Sequence, residues 1–424
     1  MKKTDKRTAG AQSSQMQLRL PLRDLVRETL FDTVIVAGVG LVREVLEEER
    51  TALCGPRYRH DPQRQALRAG SLSSSLSLGG RRVEIGRPRV RGIDGHELVL
   101  PSWRVWSARD PLQQRAMEQM LVGVSTRRYA RSLEPLPSEL AVHGVSKSAV
   151  SERFVVGTER KLGELMRRDL SGLRLVALMI DGVHFSDHVV LAAVGIDTAG
   201  EKHPLGLREG ATENAAVCRA LLADLIERGL NPNQAMLVVI DGAKALRKAV
   251  LEVFGGRALV HRCHQHKKRN VTEALPERMR TPVRSAMSQA YATHDPKRAR
   301  RLLENLARRL ESHYPGAAAS LREGLEETLT VMRLGLPENL ERVLSSTNLI
   351  ENLFSRVREV SRRVKRWQGG AMILRWTAAG VLEAQHHFRK VAGYRAIPKL
   401  ITALRAHDAI LDRQRPVDNR KQAA

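Results

Sequence analysis

A chain of 424 residues is too long for one small core and is expected to fold as two to four structural units. Its 71 Lys and Arg against 46 Asp and Glu leave a net charge of +25. That excess points to a polyanionic partner, because each phosphate neutralised releases condensed counterions. The three cysteines, Cys54, Cys218 and Cys263, exclude a disulfide framework and fit a reducing compartment. The N-terminus is charged and then polar, and no later stretch reaches the roughly 18 apolar residues of a membrane span, so a cytoplasmic protein with no membrane partner is expected.

Residues 1–20 read as a basic disordered arm. Residues 21–110 read as a helical region with a basic hairpin: the apolar spacing from Leu22 to Leu53 is helical, and a Ser/Gly-rich segment from Gly70 to Gly80 leads into the alternating run Arg82 to Arg91. Asp94-Gly95 then marks a turn before Glu97 to Leu100, closing the hairpin. Residues 111–172 return to short helices, in which Val145 to Ser151 resembles the turn and second helix of a helix-turn-helix, a candidate DNA reader. Ordinary serine capping explains the same pattern equally well.

The texture changes at Arg174. Leu175 to Ile180 is continuously apolar, as in a central buried strand, and Val189 to Val194 follows after a polar turn. A third strand around His203 to Leu207 contains Pro204 and so belongs at an edge. An amphipathic helix over 213–228, a strand over 236–240, a helix over 243–253 and a short strand over 258–261 complete the pattern. A three-strand meander followed by alternating helix and strand predicts an α/β fold with a ribonuclease-H-like core, its first part over 173–272. Residues 273–340 are charged and helical and read as an all-helical insertion, 341–400 as the second part of the core, and 401–424 as a C-terminal tail.

Three acidic residues stand out. Asp181 and Asp241 each end an apolar run, which in an α/β sheet puts them at the carboxyl edge where ligands bind, and Glu351 opens a basic helix. Each has a plain structural explanation as well: a turn at Asp181-Gly182, a helix cap at Asp241, a capping box from Asn348 to Glu351. Their shared placement is what those explanations leave out. Three convergent carboxylates suit a pair of hard divalent cations about 4 Å apart, the arrangement used to displace a phosphodiester.

Five ordered blocks carry a resemblance: Met179-Ile180-Asp181-Gly182, Lys202 through Asn214, Val239-Ile240-Asp241-Gly242, Arg262-Cys263-His264-Gln265-His266-Lys267 through Asn270, and Ser346-Thr347-Asn348 through Glu351. With the intervals between the three acids, the second of them much the longer, these blocks resemble the Mutator-type transposases of bacterial insertion sequences over roughly residues 20–400. The resemblance implies an Asp-Asp-Glu triad of Asp181, Asp241 and Glu351 holding Mg²⁺, with Mn²⁺ able to substitute. It also implies cleavage and transfer of DNA strands at terminal inverted repeats, a double-stranded DNA partner in the nucleoid, and a homo-oligomer of at least two chains on DNA.

Cys263 and His266 match that family's accessory Cys-x-x-His element, which is only half a zinc ligand set, so zinc is not expected; His261 and His264 are the local residues that would have to complete it. Lys267, Arg269, Arg358, Lys365 and Trp367 are candidate DNA contacts, with Arg358 two helical turns beyond Glu351 and on its face. A solvated charge run is the plainer reading of the basic residues, and core packing is the plainer reading of Trp376. Two rivals are a catalytically idle DNA-binding derivative and a tyrosine recombinase built on His386, Arg389 and Tyr394, whose nucleophile would lie unusually close to the other two.

Overall fold

The computed structural model describes residues 19–59, 61–78, 80–108, 111–134, 136–137, 140–185, 187–210 and 215–414. The chain divides into two compact units, Met1–Gly157 and Thr158–Ala424. The expected basic arm falls outside the described residues apart from its last two positions, as does the end of the tail from residue 415.

The first unit opens with one long helix, α1 (Arg19–Cys54), followed by β1 (Ala66–Leu78), β2 (Arg81–Gly92) and β3 (Glu97–Leu98), then α2 (Pro101–Ala108), α3 (Pro111–Leu121) and β4 (Val142–His143). The Ser/Gly-rich segment expected to lead into the hairpin is itself strand β1, paired antiparallel with β2 from Ala66↔Gly92 to Leu78↔Arg81. Its Leu72, Leu76 and Leu78 keep an alternating pattern despite the small residues between them. The Asp94-Gly95 turn joins β2 to β3, which is only two residues long. Leu46, Ala66, Val90, Leu100 and Trp103 form the core beneath this sheet. Helix α4 (Lys147–Met166) starts where the helix-turn-helix pattern places its second helix, and Ser146 Oγ accepts from Ala149 N at 3.2 Å. The residues just ahead of it form β4 rather than a helix, α3 having ended at Leu121, and α4 is 20 residues long rather than short.

The second unit holds the five-stranded mixed sheet. β5 (Leu175–Phe185), β6 (His188–Asp197) and β7 (Lys202–Gly210) form an antiparallel meander, α5 (Ala215–Glu227) crosses over, β8 (Met236–Ile240) pairs parallel with β5, and α6 (Lys244–Phe254) leads to β9 (Ala258–Arg262), parallel to β8. The order is β7-β6-β5-β8-β9, with β7 and its Pro204 at an edge as expected. Period-two alternation assigns the strand residues to two faces. Leu178, Ile180, Val238 and Ile240 pack under α5 and α6 with Leu221, Leu225 and Val250. Met179, Val183, Phe185 and Val239 pack on the other face.

All elements after β9 are helical among the described residues: α7 (His264–Glu273), α8 (Glu277–Tyr291), α9 (Pro296–Glu311), α10 (Pro315–Arg322), α11 (Leu325–Thr328), α12 (Thr330–Arg333), α13 (Glu338–Leu344), α14 (Asn348–Ser361), α15 (Gly370–Gln385) and α16 (Ile397–Gln414). Val271, Met287, Leu303, Leu310, Leu321 and Leu329 give α7 to α11 a core of their own. α14 and α15 cover the second face of the sheet through Ile350, Leu353, Phe354, Ile373 and Val381. The tail expected from residue 401 is instead the body of α16 as far as Gln414. Leu400 and Leu404 are buried there, and Arg257 pairs with Asp408 and Asp412, because the apolar spacing of Ile397, Leu400, Ile401 and Leu404 is that of an amphipathic helix.

Candidate active site

Parallel register brings the two aspartates together. β5 and β8 are paired through Ile180↔Ile240, so Asp181 and Asp241 are the next residues on neighbouring strands. Both continue the series Met179 and Val239 rather than Ile180 and Ile240, and therefore lie on the face covered by α14. Asp181-Gly182 is not a turn, since β5 runs on to Phe185 with Val183 and Phe185 buried. At Asp241 the strand does stop. Gly242, at φ +105°, supplies a backbone conformation closed to most side chains, and Asp241 Oδ1 accepts from Ala243 N at 2.8 Å at the start of α6. The cap anticipated there does not form, since the N-cap of α6 is Ala243 without a side-chain capping bond; the Asp241 contact is a turn bond that occupies one oxygen.

Glu351 arrives from far along the chain, beyond the helices α7 to α13, on the first turn of α14. The apolar face of that helix fixes it: Ile350, Leu353, Phe354 and Val357 are buried, and Phe354 lies 6.0 Å from the Phe185 ring on β5. Gly380 of α15 lets that helix close on Val357, where an added Cβ would meet Val357 at 3.2 Å. Glu351 itself is exposed, at the flank of that apolar face, about 100° around the helix from Ile350. The capping box expected between Asn348 and Glu351 does not form: the N-cap is Thr347, one residue earlier, and its side chain makes no capping bond.

A third group joins the carboxylates. One ligand atom each from Asp181, His266 and Glu351 lies within 4.8 Å of the others, whereas Asp241 is outside that cluster although close enough to act electrostatically on both Asp181 and His266. Asp181 is 4% exposed, and burial pushes its carboxyl up to about 6 against the opposing pull of His266 and of a Thr347 hydrogen bond; Asp241 raises it further, and Gly182 N donates to its Oδ1 at 2.9 Å. His266 is pushed up to about 9, chiefly by its hydrogen bond with Cys263 and then by the charges of Asp181 and Asp241. Burial would raise the Cys263 thiol, but hydrogen bonds with His266 and Thr347 outweigh it and hold the thiol below its usual range. Thr347 ties these groups together: its Oγ1 is 3.3 Å from His266 Nδ1 and 3.5 Å from Cys263 Sγ, and its N–H points at the same sulfur at 3.4 Å.

The Cys-x-x-His pair therefore stands beside the carboxylates, and only His266 is within ligand range of them. His264 and His261 turn away into the helical core. His264 Nε2 donates to Thr328 O at 2.7 Å and its ring stacks on Tyr291 at 3.7 Å, while His261 is fully buried. Burial pulls both imidazoles down, His264 to about 4, so both are neutral at pH 7.

The candidate DNA contacts separate. Lys267 is 4% exposed and its ammonium donates to the carbonyls of Ser320 and Glu323 at the C-terminus of α10, so the phosphate contact expected of it is replaced by a helix-capping role. Arg269 is exposed, pairs with Glu273 at 2.8 Å and feels the charge of Glu351. Arg358 and Lys365 are exposed, and half-buried Trp367 meets Phe185 edge-on at 5.7 Å. Trp376 is buried, as core packing requires. Sequence reasoning missed Thr347, although it sits inside the quoted Ser-Thr-Asn block, and gave His266 no place among the carboxylates.

Fold and site together define an α/β protein in which a sheet end and a helix delivered from far along the chain gather carboxylates suited to a divalent cation, within a chain of net charge +25. The chain belongs to the Mutator family of transposases, whose family profile matches residues 7–390, and so to a family of enzymes that cleave and transfer DNA strands. It is 27% identical over 404 residues to the transposase for insertion sequence element ISRM5 of Rhizobium meliloti (strain 1021), covering 93% of this chain and 96% of that one. It is 28% identical over 337 residues to the transposase for IS406 of Burkholderia multivorans, covering 77% and 82%. It is also 28% identical over 244 residues to the transposase for IS6120 of Mycolicibacterium smegmatis, covering 56% and 73%. No helix among the described residues is long and apolar enough to cross a membrane.

Proposed function

We propose that this chain binds the terminal inverted repeats of an insertion sequence and carries out metal-dependent strand cleavage and strand transfer, with Asp181, Asp241 and Glu351 as the catalytic carboxylates. The observation that carries the reading is the meeting of Asp181 and Glu351, widely separated in sequence, beside Asp241 on the neighbouring strand. The sheet order supports a ribonuclease-H-like core, and the separately packed helices over 273–340 support an insertion between the second aspartate and the glutamate.

The donor set fits a divalent cation: hard carboxylate oxygens converge on a partly exposed position, and the burial that raises Asp181 is the strain a cation would relieve. When bound, Mg²⁺ or Mn²⁺ supplies Lewis-acid polarisation of the phosphoryl oxygens and a lowered pKa for water. The protein's own contribution is placement. Gly182 N–H and Thr347 hold the Asp181 carboxylate, Ala243 N–H holds one oxygen of Asp241, and the α14 core contacts hold Glu351. On this reading Arg269, Arg358 and Lys365, all exposed, attract the phosphate backbone, and the part of Trp367 not packed against Phe185 stacks on an unpaired base at the element's end. In the nick, water forms the new bond to phosphorus as the P–O3′ bond breaks. The freed 3′ hydroxyl then attacks a second phosphodiester, forming a new P–O bond as that diester's own P–O3′ bond breaks; its proton goes to solvent and the departing 3′ oxygen takes one up from solvent. Pairing two ends calls for at least a dimer, acting on DNA in the cytoplasmic nucleoid.

Incubation of end-bearing DNA with the full chain and Mg²⁺ tests this on a denaturing gel. Asp181→Asn, Asp241→Asn and Glu351→Gln should each lose nicking and joining while retaining end binding. Full strand transfer by any one of them would refute the assignment, and a covalent protein-DNA adduct would favour the tyrosine alternative.

A further inference from the structure

The three carboxylates leave one neighbouring feature unaccounted for: the imidazole nearest to them is held in place from behind. Thr347 Oγ1 stands 3.3 Å from His266 Nδ1, and a ring nitrogen of His266 lies within 4.8 Å of a carboxylate oxygen of both Asp181 and Glu351. The same hydroxyl lies 3.5 Å from Cys263 Sγ, and Thr347 is fully buried. A histidine whose ring is fixed by a hydrogen bond with a buried threonine hydroxyl, and which stands within 4.8 Å of two carboxylate oxygens, has the outer support that metal-ligating histidines characteristically show. Asp241, by contrast, commits one oxygen to Ala243 N and is not in the cluster.

We propose that His266 is a direct ligand of one of the two cations, completing a nitrogen-containing site with Asp181 and Glu351, and that Cys263 and Thr347 are its positioning residues rather than ligands. This rests on the carboxylate site proposed above and deepens it. First-row transition-metal ions, Mn²⁺ included, accept an imidazole nitrogen more readily than the hard ions Mg²⁺ and Ca²⁺, so the site discriminates in favour of Mn²⁺ over Mg²⁺. The arrangement also gives the Cys-x-x-His pair a division of labour. Thr347 is the N-cap residue of the helix that carries Glu351, so the hydrogen bonds that orient His266 also pin the start of that helix.

The test is Mn²⁺ binding to the full chain without DNA, read by electron paramagnetic resonance, with the nitrogen modulation of the Mn²⁺ signal as the structural readout. The wild-type chain should show coupling to an imidazole nitrogen, and His266→Gln should lose it. His266→Gln should also weaken Mn²⁺ binding by roughly tenfold or more while changing Mg²⁺ binding much less. Thr347→Val should keep the nitrogen signal but weaken Mn²⁺ on the order of tenfold. If wild type binds Mn²⁺, Asp181→Asn does not, and no His266-dependent nitrogen coupling is seen, the His266 proposal fails while the carboxylate site stands. If wild type does not bind Mn²⁺, or Asp181→Asn binds it equally well, the carboxylate site fails and the proposal with it. The wild-type spectrum is informative even where a variant folds poorly.

Discussion

Replacing Asp181 by Asn should make the protein more stable and less active, with the stability gain depending on metal and pH. The Asp181 carboxyl ionises near 3.8 in an unfolded chain and is pushed up to about 6 by burial in the folded one. The penalty for holding it charged therefore grows as pH rises from about 4 to about 6 and is fully present above that; about 2 pH units correspond to roughly 3 kcal/mol. The amide oxygen of Asn can still accept from Gly182 N and Thr347, so most of the local hydrogen bonding survives. At about 2–4 °C per kcal/mol for a domain of 150–250 residues, the transition of the second unit should rise by roughly 6–12 °C at pH 7.5 in EDTA, as an upper bound. Divalent cation should close most of that gap. At a hundredfold excess over its dissociation constant, a ligand stabilises the native state by about 2.7 kcal/mol, a gain open to wild type and largely closed to the variant. Calorimetric melts of both proteins in EDTA and in Mg²⁺ or Mn²⁺ give all four values. The reasoning is refuted if the variant melts no higher than wild type in EDTA at pH 7.5, or if its advantage persists undiminished at pH 4.

Further outcomes separate structural from DNA-facing charge. Lys267→Met should destabilise the fold by about 2–3 kcal/mol, since it strips charge-assisted bonds from two α10 carbonyls, and should leave the salt dependence of end binding unchanged; urea melts and binding isotherms across salt check both. Arg269→Ala should do the reverse, with stability within about 0.5 kcal/mol of wild type and a log–log salt slope shallower by about one. Gly242→Ala should cost on the order of 1–3 kcal/mol in chemical denaturation because φ is +105° there, and should reduce nicking by displacing Asp241. His264→Phe keeps the stack on Tyr291 but leaves the Thr328 carbonyl without its donor, so a loss of about 1–3 kcal/mol with unchanged metal affinity is expected from thermal melts.

The sheet was legible where one period dominated. Met236 to Ile240 is a short apolar run that fits only a buried strand, and its bounds in the structure are those read from sequence. β5 extends past Asp181 because Val183 and Phe185 alternate with Gly182 and exposed His184, a pattern the Asp-Gly pair disguised as a turn. β1 was masked in the same way, its serines looking like a loop while its leucines kept strand spacing. The roles of Lys267 and His266 could not be read locally. Lys267 sits in a run of basic residues that looks solvated, and only the packing of α10, three helices further along the chain, turns it inward. His266 meets the carboxylates because Thr347, distant in sequence, lies against it.

The same long-range packing explains how a site drawn from three segments can be well defined. Asp181 and Asp241 need only the parallel register of two central strands, among the most deeply buried residues of the unit. Glu351 has to be brought back after a long helical excursion, and closing a loop of that size costs only a few kcal/mol more entropy than closing a short one. Two separate sets of contacts offset that cost. The apolar face of α14 docks on β5 and α15, and Thr347 at its N-terminus joins Cys263 and His266 at the start of α7. The helices between α7 and α14 pack on a core of their own, so length there can vary without moving either anchor. What the anchors hold together is a group of like charges with one imidazole among them, an arrangement that is unfavourable while empty and favourable around a cation. The rigidity of the scaffold is therefore what keeps the site poised to bind metal rather than free to relax away from it.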